Sequence, residues 1–155
     1  MVQAVPHRPL TLERYALQPG ERLALKAALS KVGLPTEDLE VPGRLFWRFE
    51  MAEQIPVGFG GLEIRSDSAL LRSLVTLPPV RGRGIGSAMV AALETEAALH
   101  NCRSVFVITQ GQAGFFARFG YVPCDRAAVP EAIRTTRQFA DLCPQSAEVL
   151  VKPLD

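Results

Sequence analysis

From Arg44 onward the chain alternates. Leu45, Trp47, Phe49 and Met51 are apolar while Arg44, Arg48 and Glu50 are polar, the period of two required of a strand with one buried face. Phe46 breaks the pattern. Val57 to Ile64 reads as a partner strand in which Gly58, Gly60 and Gly61 mark a bulge or a close approach of backbone. Asp67-Ser68 then turns the chain into a third strand, Leu70 to Leu77. The period changes after that. From about Gly84 to Leu99, Ile85, Ala88, Met89, Ala92 and Leu93 form one stripe at helical spacing. The unbroken apolar run Val105-Phe106-Val107-Ile108 is the pattern of a buried strand reached by a crossover, so strand, helix and strand make a βαβ unit.

The flanks extend this alternation. Leu10 and Leu12 alternate with Thr11 and Glu13 as a candidate first strand. After Pro19-Gly20, the apolar positions from Leu23 to Val32 predict a helix that Gly33 stops. Thr36 is placed to cap a brief turn before Pro42-Gly43 breaks the chain. Ala113 to Phe119 predicts a short helix ending at Gly120, Tyr121-Val122 a strand, Pro130 to Phe139 another helix, and Ala147 to Val151 a last strand. The expectation is an α/β fold in a single domain spanning residues 1–155. With 155 residues, 48% of them hydrophobic, there is material for one core. A net charge of +1 gives no chain-wide attraction to nucleic acid or to an anionic membrane, so any anion site must be local. No run reaches the length of a membrane span, and Met1 to Pro9 lacks the apolar core of a signal peptide, which predicts a cytoplasmic protein. Cys102, Cys124 and Cys143 are odd in number and widely spaced, as reduced thiols would be.

The local anion site is legible at Arg81-Gly82-Arg83-Gly84-Ile85-Gly86-Ser87, between a predicted strand and the helix after it. Unpaired N–H groups converge at such a helix start, the dipole adds positive potential, and glycine lets phosphate oxygens approach the backbone. No lysine follows the glycines as a Walker A loop needs, and Ser87 stands where a dinucleotide fingerprint starting at Gly82 needs glycine. The segment resembles the Arg/Gln-x-x-Gly-x-Gly/Ala motif of the Gcn5-related N-acetyltransferase (GNAT) superfamily. Ala113-Gly114-Phe115-Phe116-Ala117-Arg118-Phe119-Gly120-Tyr121 resembles that family's second motif. The resemblance implies a mixed central sheet of six to seven strands flanked by helices, with a splayed cleft after the fourth strand. It implies acetyl-CoA as cosubstrate. Arg81 to Ser87 would take the pyrophosphate, Val75 and Leu77 would pair through their backbone with the pantetheine arm, and Phe116 would lie beside the coenzyme. Dimers are common among such relatives, so a homodimer is also implied.

Gly33 to Leu39, Gly61-Leu62-Glu63, Leu70 to Ser73, Phe115-Phe116 and Phe139 to Pro144 further resemble acetyltransferase-like proteins encoded with arsenic-resistance genes. That likeness implies acetylation of a small amine, such as an arsenic- or phosphorus-containing amino-acid analogue. Acetyl transfer needs a free amine, a polarised thioester carbonyl and a proton for the leaving thiolate. Glu63 is a candidate base, or else a solvated strand carboxylate. Arg72, in an apolar strand, is a candidate to hold an acidic acceptor, or else part of an internal salt bridge. The family's usual tyrosine position, four residues before Gly120, is Phe116, which has no proton to give. Two other functions stay open on these residues: an acyl-CoA-binding protein without turnover, and an arsenite binder using Cys124 and Cys143.

Overall fold

The computed structural model describes residues 11–78 and 84–154. Its elements are β1 (Glu13–Ala16), α1 (Leu23–Lys31), β2 (Arg44–Met51), β3 (Ile55–Arg65), β4 (Ser68–Thr76), α2 (Ile85–Leu99), β5 (Ser104–Thr109), α3 (Ala113–Ala117), β6 (Val122–Pro123), α4 (Glu131–Arg134) and β7 (Glu148–Pro153). The strands form one mixed sheet in the order β1-β2-β3-β4-β5-β7-β6. Only β4 and β5 run parallel, and α2 connects them. No described helix is long and apolar enough to cross a membrane.

Both faces of the sheet are covered, which explains Phe46. Trp47, Leu62, Leu71, Val105 and Val107 pack beneath Ile85, Met89 and Leu93 of α2. On the opposite face Phe46, Phe59 and Val75 meet Leu25 and Leu29 of α1, while Leu70, Phe106 and Val149 meet Ile133 of α4. Alternation in β2 therefore sorts residues between two apolar layers rather than between core and water.

Three boundaries differ from the sequence pattern. β1 starts at Glu13, and Leu10 lies outside the described residues. Tyr121 precedes β6 and is buried beneath it rather than belonging to the strand. The helix expected over Pro130 to Phe139 is broken: α4 lasts four residues, and Gln138–Leu142 forms a π-helical turn. The buried hydroxyl of Thr136 accounts for the break. It donates to the Ile133 carbonyl at 2.7 Å and accepts from the Phe139 N–H at 3.3 Å, giving the backbone an alternative to helical pairing.

The segment between α1 and β2 is tied to the sheet by buried charge. Asp38, fully buried, receives a bidentate pair of hydrogen bonds from Arg72 of β4 and a bond of 3.2 Å from Nε of Arg44 on β2. Nη2 of Arg44 also lies 3.4 Å from Oε1 of Glu63, which Arg65 reaches at 2.9 Å. Two guanidinium groups approach the Phe46 ring, Arg22 at 4.9 Å and Arg72 at 5.4 Å from its centroid. Burial by itself would raise the Asp38 carboxyl pKa. The hydrogen bonds and charge of Arg72, then of Arg44, outweigh it and hold the group below its ordinary value.

Two consequences are measurable. A Cβ at Gly58 would press on the Val75 carbonyl oxygen and lie 2.8 Å from Sδ of Met89, so Gly58→Ala should cost about 1–3 kcal/mol and lower the urea midpoint. Asp38→Asn removes the bidentate counter-charge of Arg72, leaving only the Glu63 carboxylate 3.9 Å away, and should cost about 3–5 kcal/mol at pH 7. A carboxyl depressed by folding contributes its stability above its unfolded value, about 4, and loses it as the pH falls through the lower folded one. Urea midpoints should therefore fall below about pH 4 in the parent, and the Asn variant should show a weaker acid dependence.

Candidate functional site

Where β4 and β5 separate, the sheet opens. Their parallel register runs from Ser68 opposite Ser104 to Leu71 opposite Val107 and goes no further, although β4 continues to Thr76. A bulge in β4 accompanies the divergence. Gly61 faces Arg72 and Phe59 faces Val75, so Ser73 and Leu74 together oppose Gly60, and Ser73 is held at φ +57°. Such a two-against-one step strengthens the local twist and bends β4 away from its neighbour. Gly60 makes room for it, since a Cβ there would meet Leu93 at 2.8 Å and Leu74 at 3.3 Å. Arg72 steadies it by donating from Nε to Oγ of Ser73 at 3.2 Å.

The result is a cleft of about 1070 Å³. Its floor is β4 from Leu71 to Thr76, and its opposite side is β5 from Val107 to Thr109. The first turn of α2 closes one end with Gly84, Ile85, Gly86 and Ser87. Gly84 precedes that helix at φ +75° with no side chain capping it, and the Ala88 N–H is bonded to the Gly84 carbonyl. The amides of Ile85, Gly86 and Ser87 have no intrahelical acceptor, and no acidic side chain lies in the turn. A Cβ on Gly86 would sit 3.0 Å from the Phe115 ring, so glycine sets the spacing between α2 and α3. Arg81, Gly82 and Arg83 of the expected anion loop lie outside the described residues.

The strand backbone corrects one expectation. The Leu77 N–H donates to the Val57 carbonyl at 2.9 Å, and Val75 faces Phe59 two residues further along the same ladder. Amide and carbonyl groups alternate sides along a strand, so Val75 and Leu77 direct theirs toward β3. Thr76 turns its backbone toward the cleft instead.

Glu63 and Arg72 are also placed differently from the expected site. Glu63 is almost fully buried in the ion network between β2, β3 and β4 and does not line the cleft. Its Oε2 accepts no hydrogen bond, the Arg72 Nη1 lying 3.9 Å away. It is not positioned to take a proton from an amine in the cleft. Arg72 contributes backbone to the floor, but its side chain has no exposed surface and is held by Asp38, so it is not offered to an acceptor.

Phe116 does line the cleft, packed edge-on against Phe115 at 5.0 Å and Tyr121 at 5.5 Å. Tyr121 sits behind it, outside the cleft. Its hydroxyl donates to Oε2 of Glu94 at 2.9 Å, and burial, reinforced by Glu94, raises its pKa far above the usual range. Cys143 lines the cleft, whereas Cys124 packs beside Ile133, so the two thiols do not share this site. Burial raises the Cys143 thiol, against the opposing effect of Arg72 and Arg126. Among the described residues no group of three His, Cys, Asp or Glu side chains could hold a metal ion. Sequence reasoning did not anticipate Ser73, whose left-handed backbone has no signature in a serine, or Gln138, which sits in the unpredicted π turn and lines the cleft with its side chain largely buried.

The sequence profile of the Acetyltransferase (GNAT) domain matches residues 42–123, more than half of the chain, from β2 through β6. No curated protein matches the chain in sequence. Among solved structures, N-acetylglutamate synthase from Neisseria gonorrhoeae complexed with coenzyme A and N-acetyl-glutamate superposes with a TM-score of 0.78 at 17% identity, covering 96% of this chain. The match takes in only 36% of that longer chain. Rv2747 from Mycobacterium tuberculosis, in complex with CoA and NLQ, has a TM-score of 0.75 at 23% identity, covering 92% of this chain and 99% of that one. An acetyltransferase of GNAT family from Staphylococcus aureus Mu50 has a TM-score of 0.70 at 14% identity, with 94% and 100% covered. At these identities the likeness is one of fold. Together with the profile match and the splayed sheet, it leads to one conclusion: the chain belongs to the GNAT acetyltransferase family.

Proposed function

We propose that the protein is an acetyl-CoA-dependent N-acetyltransferase acting on a small amine in the cytoplasm. The observation that carries this reading is the convergence of two backbone features on one cleft: the uncapped start of α2 and the strand that leaves the sheet at Ser73. The residues present fit a pyrophosphate-bearing coenzyme. Gly84 has nothing within 4 Å of where a Cβ would stand, and the amides of Ile85, Gly86 and Ser87 supply donors backed by the positive end of a fifteen-residue helix.

Acetyl-CoA would supply an activated thioester. The chain's part is to hold and polarise. The Thr76 backbone, turned toward the cleft, is placed to run beside an extended amide-bearing arm, and the N–H groups around the bulge are donors for the carbonyl under attack. The amine nitrogen bonds to the acetyl carbon, the carbon–sulfur bond breaks, the amine loses a proton to solvent and the thiolate gains one. No tyrosine, histidine, aspartate or glutamate is among the described residues lining the cleft. A thiolate is a modest base and leaves without obligatory help, with a thiol pKa of about 8.5. An arsenic- or phosphorus-containing acidic acceptor rests on sequence resemblance alone, because Arg72 is held by Asp38.

The absence of a tyrosine, histidine or carboxyl side chain among the described residues lining the cleft favours one other reading, an acyl-CoA-binding protein without turnover. Release of free CoA with any amine excludes it. Calorimetry tests the leading reading at its first step: acetyl-CoA should bind the parent, and its failure to bind would sink the proposal. Gly86→Val, by pushing Phe115 toward the cleft, should weaken that binding by about tenfold or more.

A further inference from the structure

The cleft has a second end, remote from the start of α2. It is bounded by Val32 to Pro35 after α1 and by the segment from Gln138 to Ala147, with Ser73 on the floor. Most of this wall is apolar: Val32, Leu34, Pro35, Leu142, Pro144 and Ala147. The polar side chains it offers are neutral. Gln138 is only 5% exposed, and its carboxamide makes no hydrogen bond in the structure. Neither of its polar atoms is sealed off, since the fully enclosed, unbonded polar atom among the described residues is Oε2 of Glu63. The carboxamide therefore spends its residual exposure on the cleft it lines. Its backbone is fixed there, because the Gln138 carbonyl accepts from the Cys143 N–H at 3.0 Å and closes the π turn. Water can bond this amide while the cleft is empty, so a ligand that displaces it must supply both a donor and an acceptor or leave the amide unsatisfied, which is costly.

Charge at this end is already balanced or turned away. Arg72 is bonded to Asp38 beneath the floor, and Arg126 donates to the carbonyls of Pro144 and Ala147 and stacks on Phe139. Arg118, just past α3, lines the cleft without a carboxylate partner, but it lies over the rings of Phe115 and Phe119, and Phe115 abuts Gly86, so this cation belongs with the start of α2. Cys143 is the other titratable side chain lining the cleft among the described residues. Among the described residues no cation at this end is left to pair with a carboxylate on the acceptor, and no carboxylate or imidazole lines the cleft to deprotonate an ammonium.

We propose that this end is an uncharged acceptor subsite in which the Gln138 carboxamide reads the amide of a small α-amino amide that arrives as the free base, its apolar side chain lying among Val32, Leu34, Leu142 and Pro144. The inference rests on the acetyltransferase reading. An α-amino amide suits the subsite on three counts: its amide complements the carboxamide, it carries no carboxylate, and its amine titrates near or below about 8, so a useful fraction is neutral without an enzymic base.

The test uses the full chain, acetyl-CoA, and matched acceptors: phenylalaninamide and leucinamide against phenylalanine, leucine and glutamate. With kcat/KM referred to the free-base concentration of each acceptor, CoA release should be at least about tenfold more efficient for each amide than for its parent amino acid. Its rising pH limb should follow the pKa of whichever amine is used. Gln138→Leu and the near-isosteric Gln138→Glu should both raise KM for the amides and abolish the tenfold preference, with acetyl-CoA affinity by calorimetry kept at the parent value as evidence of an intact fold. Turnover that favours glutamate or the free amino acids overturns the subsite while leaving the acetyltransferase reading intact. So does an amide preference that survives both substitutions, or a pH limb that stays fixed when the amine is changed. Acetyl-CoA binding without CoA release from any acceptor, or no binding at all, overturns both.

Discussion

Asp38 is the constraint on which the cleft depends. It is a fully buried carboxylate, so folding must return in hydrogen bonds what it takes away in hydration, and the bidentate fork of Arg72 with the added bond from Arg44 does so. The geometry that satisfies the charge also fixes three pieces of chain. It draws the loop after α1 onto the sheet, so that Val32 to Pro35 become a wall of the cleft. It orients Arg72 so that Nε reaches Ser73 and supports a backbone conformation that serine adopts reluctantly. And it consumes the arginine most exposed to a functional interpretation. One ion pair thus shapes the site and removes a cation from it.

Much of this architecture is written in side-chain period. The alternation in β2, the glycine-rich β3, the helical stripe of α2 and the apolar run of β5 are local patterns, and each produced the expected element. The fold and the splayed cleft followed from the motif resemblance. What the pattern missed is of another kind. The direction of the Val75 and Leu77 amides depends on ladder phase, set by pairing with β3, and the bulge at Ser73-Leu74 shifts the count between the two halves of β4. Side-chain spacing carries no record of that shift. The break after α4 comes from one buried threonine hydroxyl competing for backbone, which composition does not announce. Glu63 and Arg72 were plausible site residues because charge in an apolar strand demands a reason. The reason was Asp38, distant in sequence and adjacent only in the fold.

The position of Phe116 shows why side-chain chemistry is sparse in this cleft. Its ring and those of Phe115 and Tyr121 form an edge-on aromatic group that separates the cleft from the Glu94 and Lys152 ion pair behind it. A hydroxyl exists within this group, but Tyr121 is turned toward Glu94, so it stabilises the core rather than serving the cleft. Packing and proton delivery compete for the same aromatic positions, and here packing holds them.

A cleft built this way must act through backbone dipoles and exclusion of water more than through titrating groups. Fixed N–H donors at the start of α2 and along β4 do not depend on pH, and where a bound ligand displaces water they act at a lower dielectric than water would give. On the proposed acetyltransferase reading, the titratable step then belongs to the acceptor. Selectivity follows from that assignment, because a cleft without a base discriminates among amines by how much free base each presents, and only afterwards by shape and by the polar group beside the nitrogen. Arginine-rich surroundings would ordinarily invert this order by drawing in acids. Here Arg72 and Arg126 are held by protein oxygens, so on the proposed reading the neutral carboxamide of Gln138 is left to recognise the acceptor.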